Sequence, residues 1–85
     1  MYAVIWRDAA LNELADAFVL ADLARCDALE QSVLRLNAQL AADPREVGES
    51  RSGNLRVAFD KPVAINFLVD DPMPDVVRVT HFRTY

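Results

Sequence analysis

The sequence predicts an α+β domain in which a hairpin of two helices packs on one face of a mostly antiparallel sheet, in the order β-α-α-β-β-β with one more short strand possible. Two observations predict it. Apolar residues recur every three or four positions before Pro44 and every second position after it. Turn-forming clusters at Ser52-Gly53-Asn54, Lys61-Pro62 and Asp70 to Pro74 divide the second half into short segments.

Tyr2 to Trp6 is a short β-forming run closed by Arg7-Asp8, and it reads as a first strand. Asp8 is placed to cap the helix that follows, because its carboxylate can accept first-turn amide protons. Leu11, Leu14, Ala15, Phe18 and Ala21 carry the apolar stripe of that helix. A break is expected at Ala24 to Asp27, where Asp27 and Glu30 have capping-box spacing. Leu29, Val33, Leu36 and Leu40 form the seam of the second helix, and Pro44 ends it because the residue before a proline is pushed out of the helical region. A short turn makes the two helices antiparallel.

Beyond Pro44, Glu46 to Arg51 is a candidate weak strand. Leu55, Val57 and Phe59 alternate with polar or small residues, as do Val63, Ile65, Phe67 and Val69, and then Val77 and Val79. The short connections make these strands antiparallel neighbours. The expected buried face holds Leu55, Val57, Phe59, Val63, Ile65, Phe67 and Val69, so Arg56 is expected to face away from the core. The first strand is expected to pair with a late strand, since a lone strand leaves its amides unsatisfied.

Eighty-five residues make one domain, residues 1–85. With 53% hydrophobic and 26% charged residues, the composition is that of a folded chain. The single cysteine, Cys26, excludes an internal disulfide and a multi-thiolate metal site, and reads as a small half-buried apolar residue at the helix–helix turn. No secretory signal pattern and no membrane-length apolar run are visible, so the expected setting is the cytoplasm, without a membrane partner. The net charge of −4 opposes non-specific nucleic-acid binding. All of the excess acid lies in residues 1–44, while residues 45–85 balance six basic against six acidic side chains.

The order of elements, Trp6 leading into a helix, and the segments from Gly48 to Val57 (GESRSGNLRV), Ala64 to Asp70 (AINFLVD) and Val76 to Arg83 (VVRVTHFR) together resemble the RelE/ParE superfamily of toxins from bacterial toxin–antitoxin pairs. The resemblance spans nearly the whole chain. It implies a toxin held in check by a cognate antitoxin protein. Its target would be ribosome-bound mRNA, cut by RelE-like members, or DNA gyrase, inhibited by ParE-like members.

The ribonuclease case needs no metal and no cofactor. The ribose 2′-hydroxyl attacks the adjacent phosphate, and the protein must move two protons and stabilise the phosphorane charge. Arginine suits the last task through its forked donors. By resemblance, Arg56 and Arg83 would hold the phosphate and His81 or Tyr85 would transfer protons, with Arg51 and Arg78 as further phosphate-binding cations. Read from the residues alone, these are equally solvated sheet-face side chains. His81, Arg83 and Tyr85 share parity with Val77 and Val79, so a bulge or strand end after Val79 is needed to turn them toward Arg56. The acidic balance and the single lysine, Lys61, depart from the basic, lysine-bearing pattern of the ribonuclease members and leave room for the other implied case, a non-catalytic gyrase inhibitor or an inactive member that acts as a protein-binding module.

Overall fold

A computed structural model describes residues 1–85. The elements are β1 (Ala3–Trp6), α1 (Asp8–Val19), α2 (Leu23–Ala42), a 3-10 turn at Pro44–Glu46, β2 (Glu49–Ser52), β3 (Leu55–Asp60), β4 (Val63–Val69) and β5 (Val76–Thr84). One five-stranded sheet runs in the order β1-β5-β4-β3-β2. The pairs among β2 to β5 are antiparallel, and β1 lies parallel to β5, with Ala3 opposite Val76. The first strand thus pairs with the last one.

Both helices cover one face of the sheet. Ala10 from α1 and Leu29, Leu36 and Leu40 from α2 meet Val63, Ile65, Phe67, Val69, Val77, Val79 and Phe82, all fully buried. Burial of each larger side chain stabilises the fold by roughly 1.5–3 kcal/mol. Trp6 closes one end of this core, with its ring against Phe82 and its Nε1 donating to Asn37 Oδ1 at 2.9 Å.

The helix break lies earlier than the capping-box spacing suggests. Asp22, not Asp27, caps α2, accepting the Arg25 amide at 2.8 Å. Starting there brings Cys26 onto the inner side of the helix, half-buried beside the Phe18 and Ala21 carbonyls. Asp8 does not cap α1. It is the first helical residue, with Arg7 in the cap position, and its charge complements the helix N-terminus. Leu11 and Ala15 are exposed, and Ala10, Leu14, Ala17 and Phe18 make the contact instead.

The expected face of β3 is overturned. The two-residue turn at Lys61-Pro62 sets Asp60 directly opposite Val63, so even-numbered residues of β3 share a face with odd-numbered residues of β4. Ala58 therefore enters the core opposite Ile65, while Leu55, Val57 and Phe59 lie on the face without helices, where Val57 is buried as expected but Leu55 and Phe59 are not. Arg56 pairs with Phe67 and stands on the helix side. Asp60 stands there too, where it takes Arg35 Nη2 and Nε at 2.8 Å and the hydroxyl of the fully buried Ser32 at 3.2 Å. The Arg35 hydrogen bond holds the Asp60 carboxyl below its ordinary pKa. At the other end of the sheet, Arg45, the Asp75 amide and the Tyr2 hydroxyl lower that of Asp70 in the same way.

Gly48 enters β2 with φ +67°, and a Cβ there would fall on the carbonyl oxygen of Val57. Only glycine combines this left-handed backbone with so close an approach.

Three outcomes follow from these contacts. Asp60 and Asp70 stabilise the fold fully above the ordinary carboxylate pKa of about 3.9, and this contribution is lost as pH falls through their depressed folded values. Thermal melts should therefore be insensitive to these two groups above about pH 5 and show Tm falling below about pH 4. Asp60→Asn should lower Tm at neutral pH by roughly 4–8 °C, as a loss of about 1 kcal/mol does in a domain of this size, and should flatten the acid limb. Gly48→Ala should destabilise by about 2 kcal/mol or more in denaturant titration.

Candidate functional site: the open face of the sheet

The face without helices is built from alternate residues of every strand. β1 contributes Ile5; β5 contributes Arg78, His81, Arg83 and, just past its end, Tyr85; β4 contributes Ala64, Asn66 and Leu68; β3 contributes Leu55, Val57 and Phe59; and β2 contributes Glu49. Four of the residues singled out from the sequence thus share one surface.

A β-bulge brings them there. Asn66 pairs with His81 and Phe67 with Val79, which leaves Thr80 as an extra residue in β5. Before the bulge the odd-numbered Val77 and Val79 point into the core; after it the even-numbered Phe82 does. Thr80 is itself buried, and its Oγ1 donates to the Asn66 carbonyl at 3.2 Å. On the helix side, Glu13 of α1 accepts the Phe82 amide at 3.4 Å. The parity of the strand is inverted in one step, and His81, Arg83 and Tyr85 join Arg78.

Arg56 is not among them. Its Nε and Nη2 donate to the carbonyls of Val47 and Gly48, each at 3.1 Å, on the opposite side of the sheet. It tethers the chain entering β2 to β3. Arg51 lies at the outer edge in β2, paired with Glu49 at 3.5 Å. The set expected to surround one phosphate is thus divided: Arg78, His81, Arg83 and Tyr85 on the open face, Arg51 at its rim, and Arg56 behind it.

The open face is apolar in the middle and cationic along β5. Arg83 Nη1 donates to Asn66 Oδ1 at 2.9 Å. His81 Nδ1 lies 3.2 Å from Thr80 Oγ1. Phe59, half exposed at 51%, meets the Tyr85 ring edge-on at 6.0 Å between centroids, and the Lys61 ammonium stands 5.7 Å from the Tyr85 centroid. Phe59 and Lys61 were not singled out from the sequence. The signal that could have found Phe59 was the length of the Lys61-Pro62 turn, which fixes the parity of β3.

Elsewhere the surface offers less chemistry. A concavity of about 430 Å³ between α2, residues 46–48 and β3 is lined by Leu36, Gln39, Ala42, Val47 and Ala58, with Asp43 and Glu46 beside them. No three His, Cys, Asp or Glu residues converge anywhere, and no helix is long and apolar enough to cross a membrane.

These placements separate structural from surface arginines. Arg56→Ala should speed amide hydrogen exchange in residues 49–52 and lower stability by about 1–3 kcal/mol, because two carbonyls lose a charged donor. Arg83→Ala, on the exposed face, should change stability by less than about 0.5 kcal/mol.

No protein-family model matches the sequence, and no curated protein matches it. Solved structures do. The chain is similar to one from the chromosomal ParDE toxin–antitoxin system of P. aeruginosa, with a TM-score of 0.72 at 15% identity, covering 99% of this chain and 96% of that one. It is similar to one from the RelBE2 toxin–antitoxin complex of Mycobacterium tuberculosis, with a TM-score of 0.77 at 17% identity over 99% and 98% of the two chains. A chain of the intact E. coli RelBE complex gives 0.64 at 13% identity, over 100% and 98%. Two helices on a five-stranded mixed sheet in this order, matched end to end by these structures, are the RelE/ParE-like α+β fold.

Proposed function

We propose that this chain is the toxin of a bacterial toxin–antitoxin pair, restrained by a cognate antitoxin, and that it acts by binding a protein target such as DNA gyrase rather than by cutting RNA. The toxin reading is supported by end-to-end similarity to chains from three toxin–antitoxin systems and by the motifs from Gly48 to Arg83. The fold alone does not decide the chemistry, which depends on the side chains that meet at the site.

One observation carries the choice of a binding mode. Arg56, the cation expected on the phosphate, is turned to the helix side and held by two carbonyls. β3 and β4 then present no cation to the open face, only Leu55, Phe59, Asn66 and Leu68, with Val57 and Ala64 buried beneath the side chains around them. In-line attack by a 2′-hydroxyl requires a proton acceptor, a proton donor and a phosphate clamp to converge on one phosphate. His81 and Arg83 come from one strand, with Tyr85 just past its end, and the cross-strand partners of His81 and Arg83 are the uncharged Asn66 and Ala64. An apolar patch rimmed by arginines suits a protein surface better.

Induced expression in bacteria should arrest growth. The purified protein should leave ribosome-bound message intact and inhibit gyrase supercoiling. Phe59→Asp should relieve the arrest with the fold intact, since truncating an aromatic anchor typically weakens binding by about 2 kcal/mol, roughly thirtyfold. Cleavage of message that disappears in His81→Ala and Arg83→Ala would overturn the binding mode and restore the ribonuclease reading. Normal growth on induction would overturn the toxin assignment itself.

A further inference from the structure

The two edges of the sheet are unlike. β2, at one edge, is exposed throughout, carries Glu49 and Arg51, and breaks register between Ser50 and Ser52. Charges and bulges are common means of keeping an edge strand from pairing with another chain. β1, at the opposite edge, has none of them. Ala3-Val4-Ile5-Trp6 holds no charge, no proline and no register shift. Its backbone is also unpaired on the outer side. The Ala3 amide donates to the Asp75 carbonyl and the Arg7 amide to that of Val79, so odd-numbered residues turn their backbone groups toward β5 and even-numbered residues turn theirs outward. The Tyr2 amide is taken by the Ala41 carbonyl at 2.9 Å, but the N–H and C=O of Val4 and of Trp6 have no partner within the chain. Apolar side chains border them on both faces. Ile5 is 40% exposed on the open face, and Leu34, 55% exposed, lies on the stripe of α2 that carries Asn37 and Ala41.

We infer that β1 is a self-association edge, on which β1 of a second copy of this chain pairs antiparallel about a two-fold axis at Ile5. Unpaired backbone groups two residues apart on an extended strand match another extended strand. In this register Val4 of one copy exchanges both hydrogen bonds with Trp6 of the other, and symmetry repeats the exchange. Every unpaired N–H and C=O of the two residues is then used. Pairing about Val4 instead would call on the Tyr2 amide, which is already bonded. Side-chain parity is kept: Ile5 meets Ile5 on the open face, while Val4 and Trp6 stay on the helix side. Charge also favours a second copy. Arg7 and Asp75 are exposed, and neither side chain has an ion-pair partner within the chain. The register sets Arg7 of one copy across from the small Ala3 of the other, beside that copy's Asp75, whose carbonyl holds the Ala3 amide. Any strand can use the backbone groups; the second copy brings the matching charges and the matching Ile5 as well. A contact of one short strand is at the small end of interfaces, so the dimer dissociates readily. The inference is independent of the toxin reading.

The test is sedimentation equilibrium of the full chain from about 10 µM to about 1 mM, the range of a weak interface. The apparent mass should rise toward twice that of one chain. Ile5→Lys sets two ammonium groups face to face on the axis without entering the core. It should keep the circular dichroism spectrum of the parent and weaken association about tenfold or more. Cysteine linking fixes the register. In a Cys26→Ala background, Ile5→Cys should give a disulfide-linked dimer under a mild oxidant, because a non-hydrogen-bonded antiparallel pair brings the two Cβ atoms together. Ser50→Cys, on the other edge, should stay unlinked. A single-chain mass at every concentration, a dimer that Ile5→Lys leaves intact, or linking at Ser50 as ready as at Ile5 would overturn the inference. Growth arrest enters none of these readouts.

Discussion

The extra residue at Thr80 is the constraint on which the two faces of this sheet depend. β5 is the strand that contacts both β1 and β4, and it serves the core and the open face along nine residues. With regular alternation, His81 would be driven into the apolar interior and Phe82 out into water. Each change is unfavourable: the lost burial of Phe82 alone is worth roughly 1.5–3 kcal/mol, and a buried imidazole would need a new partner. One unpaired residue avoids both. Its hydroxyl bonds the Asn66 carbonyl, and Glu13 reaches from α1 to the next amide but one. The irregularity is therefore held by the neighbouring strand and by a helix, and His81 and Arg83 share a surface with Arg78 because of it.

Much of the architecture is legible in the sequence. The change of apolar period at Pro44 separates helices from strands, and the strand limits follow the turn residues closely: β3 spans Leu55–Asp60 and β4 spans Val63–Val69. What fails is parity. Alternation reveals that a strand has two faces but not which one is inside, because β3 offers Val57 and Phe59 on one side and only Ala58 as an apolar residue on the other. Hydrophobicity points to the wrong side. Register decides, and register comes from the two-residue turn. The helix side then tolerates Arg56 and Asp60 because each finds polar partners: the Val47 and Gly48 carbonyls for one, Ser32 and Arg35 for the other. The helix break is missed for a related reason, since Asp22 and Asp27 are both competent caps and tertiary packing of Cys26 and Leu29 selects the earlier one.

The same partnerships explain how the charges divide. Arg35 and Arg45 tie α2 and the 3-10 turn to the ends of β3 and β4 through Asp60 and Asp70. Of the cations without a carboxylate partner, Arg78 and Arg83 lie on β5 beside the apolar side chains of the open face, where Arg83 rests on Asn66. An acidic chain thereby presents a locally basic strip beside an apolar patch. Long-range field and short-range recognition have opposite signs in this molecule, and the second is set by a few side chains on one strand.

The parallel pairing of β1 with β5 also has a bearing on synthesis. Ala3 to Trp6 are made well before their hydrogen-bonding partners, Val76 to Val79. The amides of β1 and the ring of Trp6 must wait for Val76 to Val79 and Phe82 to leave the ribosome before the sheet can close. Until that moment the nascent chain displays neither the ordered β5 strip nor the finished core, so the surface bearing Arg78, His81 and Arg83 is assembled only once β5 has emerged.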